Sequence, residues 1–421
     1  MLQIQVGRSR PYCDGVSRRS FLKLGAMTLG GLTLADLYRA EARAGIGSSN
    51  KAIINVHLNG GPSHQDMFDL KPEAAAEFRG EFSPISTNVE GMQICEHFPQ
   101  LAKMADKYAI IRSLVGSVGA HSNFQTHTGY GERELRNVGG HPSMGSVMSK
   151  IAGPSDTGAP AFISYNGGNP GFLGPVYKAY EPMGGSLRLS KSLTEQRLDD
   201  RTNLLGSLDK IRRDMDSTGQ MSALDTFTRR AVGVVTSGKV ADALDGNNDA
   251  KDTERYGKDG MPFLRARKLV EAGVRVVTFS WGGWDTHANN FVSLKKQLPK
   301  LDMGLSSLVQ DLSDRGLDKD VTVIVWGEFG RTPRINPGAG RDHWPSVMMA
   351  FVAGGGMQLG QVIGSTTRDG GHAQDRPVHV QEVFSTLYRN LGIDVMGTTL
   401  PDTNGRPQYL VDKRQVISEL V

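Results

Sequence analysis

The stretch Val321-Thr322-Val323-Ile324-Val325-Trp326 runs straight into Gly327-Glu328-Phe329-Gly330-Arg331. Six residues with no polar alternation beyond one threonine, stopped by a glycine, predict a strand buried on both faces. Such strands belong to parallel sheets covered by helices. The flanking chain repeats the pattern. Residues 274–280 and 347–353 read as further strands, 293–314 as a helix stopped by Gly316, and 262–272 as a helix closed by Gly273. Residues 379–390 form a last helix, ended by Gly392. Nearer the N-terminus, 51–58, 108–114 and 161–165 read as strands, 192–245 as a helical block on its leucine spacing, and 245–252 as a polar break. Apolar strands alternating with helices define the α/β class, a mostly parallel sheet with helices on both faces. No internal repeat and no long linker divides it, so residues 45–421 are expected to form one domain, with 192–245 as a cap or insertion.

In open parallel sheets, ligands gather beyond the carboxyl ends of the strands. Those ends carry the unusual residues. Asn59-Gly-Gly-Pro-Ser-His64-Gln-Asp66 follows the first strand, Trp281-Gly-Gly-Trp-Asp285-Thr-His287 the 274–280 strand, and Glu328 with Arg331 the 321–326 strand. Arg341-Asp342-His343 comes shortly after, and His121-Ser122 with His127 lies between the first two groups. Imidazole nitrogen and carboxylate oxygen suit a divalent metal, zinc first, with manganese, iron or calcium as alternatives. Asp285 and His287 can face one ion, and Asp342 can join His343 as a ligand or orient it. A plain reading exists for each group taken singly: a polar loop residue, a helix cap for Asp66, a Glu328–Arg331 pair. Together the groups carry five of the ten histidines, and their shared position at strand ends favours a metal site.

Composition narrows the rest. The chain holds 421 residues, with 52 glycines, well above the usual share of roughly 7%, and they cluster in those same turns. Its two cysteines exclude a disulfide scaffold and a zinc ribbon. Ser17-Arg-Arg-Ser-Phe-Leu-Lys23, a weakly apolar stretch and Ala42-Arg-Ala44 read as a twin-arginine export signal over residues 1–44. The whole formal charge of +4 sits in that segment. The remaining chain is neutral and shows no basic patch, which argues against nucleic acid, and no apolar window long enough for a membrane anchor follows residue 50. The expected partners are the twin-arginine translocase and an anionic ester or glycan, and the expected location is the periplasm or beyond.

Several motifs occur together: Asn59-Gly-Gly-Pro-Ser-His-x-Asp-x-Phe-Asp69, Gly283-Trp-Asp-Thr-His287, Gly327-Glu-Phe-Gly-Arg-Thr-Pro333, Gly340-Arg-Asp-His-Trp344 and Asn404-Gly-Arg-Pro407. In this combination the chain resembles the bacterial family called domain of unknown function 1501, related to sulfatases and the alkaline phosphatase superfamily. The resemblance implies an alkaline-phosphatase/sulfatase-like core and a metal-dependent hydrolase of phosphate or sulfate esters, or a degenerate relative that binds an anionic glycan or a partner protein. It implies Asp285, His287, Glu328 and His343 as metal positions; the clusters at the strand ends add Asp342, His64 and Asp66 as helpers and Arg331 or Arg341 as a clamp for the anion. Ser122 is either the nucleophile, with His121 or His127 as its base or as a ligand, or a plain hydroxyl in a polar loop. The chain departs from the superfamily at Asn59, where an Asp is usual, and at Phe329, where an imidazole is usual. It also lacks a Cys/Ser-x-Pro-x-Arg signature, and Cys95 precedes Glu-His-Phe-Pro, which argues against a formylglycine sulfatase.

Overall fold

The computed structural model describes residues 51–155, 158–182, 233, 238–245 and 250–421. The export signal and most of the 192–245 block lie outside the described residues. Residues 50–421 cluster as one compact unit.

Eight strands form the central sheet: β1 (Ala52–His57), β2 (Tyr108–Val115), β3 (Phe162–Ser164), β4 (Val276–Ser280), β5 (Val321–Trp326), β6 (Met348–Gly354), β7 (Gln361–Ile363) and β8 (Val378–His379). Their order is β7-β2-β6-β5-β1-β4-β3, with β8 also paired to β2. β5, β1, β4 and β3 run parallel to one another. β6 alone is reversed, antiparallel to both β5 and β2. The expected mostly parallel sheet is therefore found, with one inverted strand at its middle. The β1 register sets Val56 against Phe279 and Val325, and His57 against Ser280 and Trp326. The carboxyl ends of β1, β4 and β5 thus finish level, and their loops open on one edge.

Helices cover both faces. On one side Ile54, Val56, Val277, Val323, Val325 and Phe351 pack with residues of α3 (Gly238–Leu244), α4 (Ala250–Tyr256), α5 (Met261–Glu271) and the long α6 (Asn290–Asp314). On the other, Ile53, Val276, Ile324, Trp326 and Ala350 pack with α2 (Met144–Ile151) and α7 (Val380–Asn390). A short helix, α1 (Phe124–Thr128), precedes α2 on that second side. α4 begins inside the stretch read as a polar break, and α6 starts three residues earlier than the 293–314 read from the sequence. α7 is begun by His379, whose ring accepts from the Gln381 amide while Glu382 accepts from the His379 amide, a reciprocal cap.

The second face carries polar groups inside the core. Asn55 donates to the Thr126 carbonyl at 3.1 Å and accepts from the Trp326 indole at 2.9 Å. Thr126 Oγ1 lies 2.9 Å from His57 Nδ1. His127 and His141 are also buried here, and His141 stacks on Tyr130. Burial holds the His127 imidazole near 3 and the His141 imidazole near 4. Both values lie below that of an unfolded histidine, so the unfolded chain takes up protons the folded one refuses. Their contribution is complete above about pH 6.5 and is lost on acidification, at up to about 1.4 kcal/mol per pH unit for each ring. Thermal unfolding followed from pH 7 to pH 5 should show a falling midpoint, and His141→Phe should make that fall shallower by about one proton; an unchanged slope would contradict this assignment.

Candidate metal centre

Three loops meet at the level ends of β1, β4 and β5. Their close approach requires glycine: Gly60 has φ +107°, and a Cβ on it would collide with the backbone of Trp284 and Asp285. A Cβ on Gly340 would strike the His287 carbonyl. Backbone bonds fasten the contact, from Trp284 N to Asn59 O at 2.8 Å and from Arg341 N to Thr286 O at 3.1 Å.

Arg331 ties the loops together. It is fully buried and donates to Gly61 O at 2.8 Å, Arg341 O at 2.9 Å, Trp284 O at 3.2 Å, the Gly60 carbonyl and Asp285 Oδ1 at 2.6 Å. Asp285 is thereby fixed at the mouth. Partial burial acts to raise its carboxyl, but the bonds from Arg331 and His343 and the charge of Arg331 prevail and hold it at about 2.

Three imidazoles converge on that carboxylate. His287 Nε2 lies 3.0 Å and His343 Nε2 3.2 Å from Asp285 Oδ1, and the two nitrogens are 3.1 Å apart. His121 Nε2 lies 3.3 Å from Asp285 Oδ2. Donor atoms of His121, Asp285 and His343 all fall within 4.8 Å of one another. In a tetrahedral zinc site, bonds of about 2.0–2.1 Å place neighbouring ligand atoms about 3.3 Å apart. The separations around Asp285 Oδ1 fit that edge length.

The far side of each ring supports the same reading. His287 Nδ1 is 2.6 Å from Asp342 Oδ1, and His121 Nδ1 is 3.0 Å from Glu328 Oε1. A carboxylate on Nδ1 fixes the proton there and turns the Nε2 lone pair into the cluster, the arrangement that metal-binding histidines adopt. The Asp342 carboxyl is held low by its bond from His287 first and by Asn336 as well, which prevails over slight burial. Burial acts to raise Glu328, but bonds and charge from His57 and the bond from His121 lower it overall. Desolvation lowers His343, and Arg331 and His121 add to this against the opposing bond from Asp285, so its ring favours the neutral, ligating form. With His287 Nε2 unprotonated, two ring nitrogens 3.1 Å apart need a shared proton or a cation between them. The residues present therefore fit a divalent ion.

The structure brings His121, Asp285, His287, Glu328, Asp342 and His343 together. Glu328 and Arg331 do not pair with each other: Glu328 takes the Gly60 amide at 2.8 Å, while Arg331 takes Asp285. Four other expectations are corrected. Asp66 is buried in a bidentate pair with Arg341, at 2.8 and 2.9 Å, and also accepts from Ser63 and Asn290. Arg341 spends its remaining donors on the Thr332, Pro333 and Phe78 carbonyls and has none to offer an anion. His64 is fully buried, with Nε2 2.8 Å from Gly370 O, and burial lowers its basicity. His127 is buried in the core behind the cluster, its ring 6.5 Å from that of His57. The Ser122 hydroxyl itself is turned onto Glu132.

Two participants went unread in the sequence. His57, fully buried at the end of β1, places Nε2 3.3 Å from Glu328 Oε2. Its signal was a lone imidazole closing an apolar strand. Asn336 donates to the His287 carbonyl at 2.9 Å and to Asp342. Phe329 packs on His343, with ring centroids 4.2 Å apart.

The site sits on an α/β sheet whose strand-end loops present a histidine–carboxylate cluster. The chain belongs to the family described as protein of unknown function DUF1501, whose model matches residues 50–421. No curated protein matches it. Similar solved structures include the PsFucS1 sulfatase from Pseudoalteromonas sp., at 12% identity, covering 86% of this chain and 70% of that one, TM-score 0.39. Another is the lipoteichoic acid synthase LtaP from Listeria monocytogenes, at 9% identity, 82% and 73% coverage, TM-score 0.34. A third is a magnesium-bound mutant of TAB5 alkaline phosphatase, at 11% identity, 82% and 99% coverage, TM-score 0.35. Among the described residues no helix is long and apolar enough to cross a membrane.

Two kinds of substitution should separate the cluster from its scaffold. Asp342→Asn and Glu328→Gln should each weaken zinc binding about 10–100-fold in a chelator competition, with little change in unfolding. Arg341→Met should cost about 3–5 kcal/mol in denaturant unfolding, because it leaves Asp66 charged and buried. Equal effects of all three on metal affinity would overturn the division.

Proposed function

We propose that this chain is an exported metal-dependent hydrolase of a phosphate or sulfate ester. One observation carries the reading: carboxylate-backed imidazoles aim their Nε2 atoms at a carboxylate that a buried arginine keeps ionised. The ester class comes from the resemblance of the family that carries the motifs at residues 59–69, 283–287, 327–333 and 340–344 to sulfatases and the alkaline phosphatase superfamily. Asp285, His287, His343 and His121 would hold the ion, with zinc first and manganese, iron or calcium as alternatives. Such an ion supplies Lewis acidity toward an anionic ester oxygen.

The chain's own groups do the rest. Arg331 keeps Asp285 charged and stationary and does not touch substrate. Asp342 and Glu328 hold the His287 and His121 tautomers. Glu328 stands between His121, at 3.0 Å, and His57, at 3.3 Å, so one buried carboxylate faces two imidazoles. Export rests on the twin-arginine motif of residues 17–23 with its following apolar stretch and cleavage signal, so the translocase is the proposed partner and the periplasm the proposed site of action. Residues 1–44 are the proposed signal and 45–421 the working domain.

A second reading, binding of an anionic glycan or partner protein without turnover, is favoured by one feature. The Ser122 hydroxyl is engaged by Glu132, and both buried arginines, Arg331 and Arg341, are saturated by protein acceptors. Zinc-loaded protein assayed against aryl phosphate, phosphodiester and aryl sulfate should turn over at least one of them. His343→Ala should lower that rate by about 100-fold or more while leaving the unfolding transition in place. Binding without turnover across the whole panel would decide for the second reading.

A further inference from the structure

Beside the metal centre lies a separate cleft of about 530 Å³, lined by Phe124, Glu132, Arg133, Arg136 and Asn169 together with Gly139 and Gly140. Its volume falls in the range of ligand sites. Phe124 is three residues from His121, and Ser122 joins the two walls through its bond to Glu132. The cleft therefore opens next to the cluster on the same strand-end edge.

Its charge is not spent internally. Arg133 and Arg136 are exposed, and neither has a carboxylate partner among the described residues. Glu132, the acid among the lining residues, is engaged by the Ser122 hydroxyl. The loop that carries the arginines is also built rigidly. Leu135 takes φ +51°, a left-handed conformation that costs a non-glycine residue energy, and the Gly140 amide closes on the Leu135 carbonyl at 2.9 Å. The Gly139 amide donates to Arg136 at 3.2 Å, and Gly140 in turn accepts from Phe172 at 2.9 Å. Asn169 anchors the opposite wall, its Oδ1 accepting from the Gly171 amide at 3.0 Å.

The geometry points to a subsite for a second anionic group of the substrate, next to the ester at the metal centre. Two guanidinium forks match the planar oxygen pairs of sulfate or carboxylate. The half-buried Phe124 ring gives the face on which a sugar ring stacks, and the Asn169 amide offers a donor to a hydroxyl. A polyanionic saccharide satisfies all four groups, whereas an inorganic polyanion uses only the arginines. For what is cleaved, the inference rests on the hydrolase reading above; for what is bound, it rests on the cleft alone.

The test is calorimetric titration of the purified, metal-loaded protein with a disulfated disaccharide, its monosulfated form and linear polyphosphate. The wild-type chain should bind the disulfated sugar about tenfold or more tighter than the monosulfated one, with salt weakening the difference. Arg133→Gln combined with Arg136→Gln should abolish that gain, while metal content and turnover of a singly charged aryl ester stay as in the wild type. Equal binding by the variant, or polyphosphate binding as tightly as the disulfated sugar, would overturn the subsite. If the variant loses the sugar but neither protein cleaves any ester, the hydrolase reading falls and the subsite stands. If ester turnover is intact and both proteins bind the sugar alike, the subsite falls and the hydrolase reading stands.

Discussion

The structure at the strand ends depends on one buried guanidinium. Arg331 reaches the loop after β1 through Gly60 and Gly61, the loop after β4 through Trp284 and Asp285, and the return segment through the Arg341 carbonyl. The Gly60, Gly61 and Arg341 carbonyls are buried acceptors that these bonds satisfy, where leaving one unpaired costs about 1–3 kcal/mol. A lysine could not replace it, because a single ammonium lacks the planar fork that meets several acceptors in different directions. The charge at the centre of this arrangement is neutralised by Asp285, so the fixed cation and the exposed carboxylate define each other's position.

Around that pair the polar groups form shells with separate tasks. Asp285, His121, His287 and His343 present donor atoms to the mouth. Glu328, Asp342, Asn336 and His57 stand behind them and set which nitrogen carries the proton. Deeper still, Asn55, Thr126 and the Trp326 indole satisfy one another within the sheet's second face. The Arg341–Asp66 pair is a separate scaffold element that closes the loop bearing Thr332 and Pro333 over α6 through Asn290. Similar residue types thus serve two purposes a short distance apart.

That duplication explains what could be read from the sequence. β5 was legible to the residue, since an unbroken apolar run between polar segments has one structural interpretation, and β1 and β2 followed for the same reason. The reversal of β6 was not legible, because an apolar strand buried on both faces has the same composition in either direction. The cluster residues were legible as histidines and acids in glycine-rich turns at strand ends. His64, Asp66 and Arg341 carry the same signature, and only the fold shows that they face inward and satisfy each other or the backbone. His57 was concealed in the opposite way, by an apolar strand that made it look like core. Cys95, set aside as a formylglycine precursor, is buried, and burial pushes its thiol up to about 12, consistent with an inert packing residue.

The central claim is that these side chains hold a divalent ion. Zinc-edge X-ray absorption on the purified, zinc-loaded chain tests it most directly. The account predicts a bound ion with a first shell of imidazole nitrogen and carboxylate oxygen at about 2.0–2.2 Å. A chain that retains no zinc, or zinc with a sulfur-containing or fully hydrated shell, would contradict it.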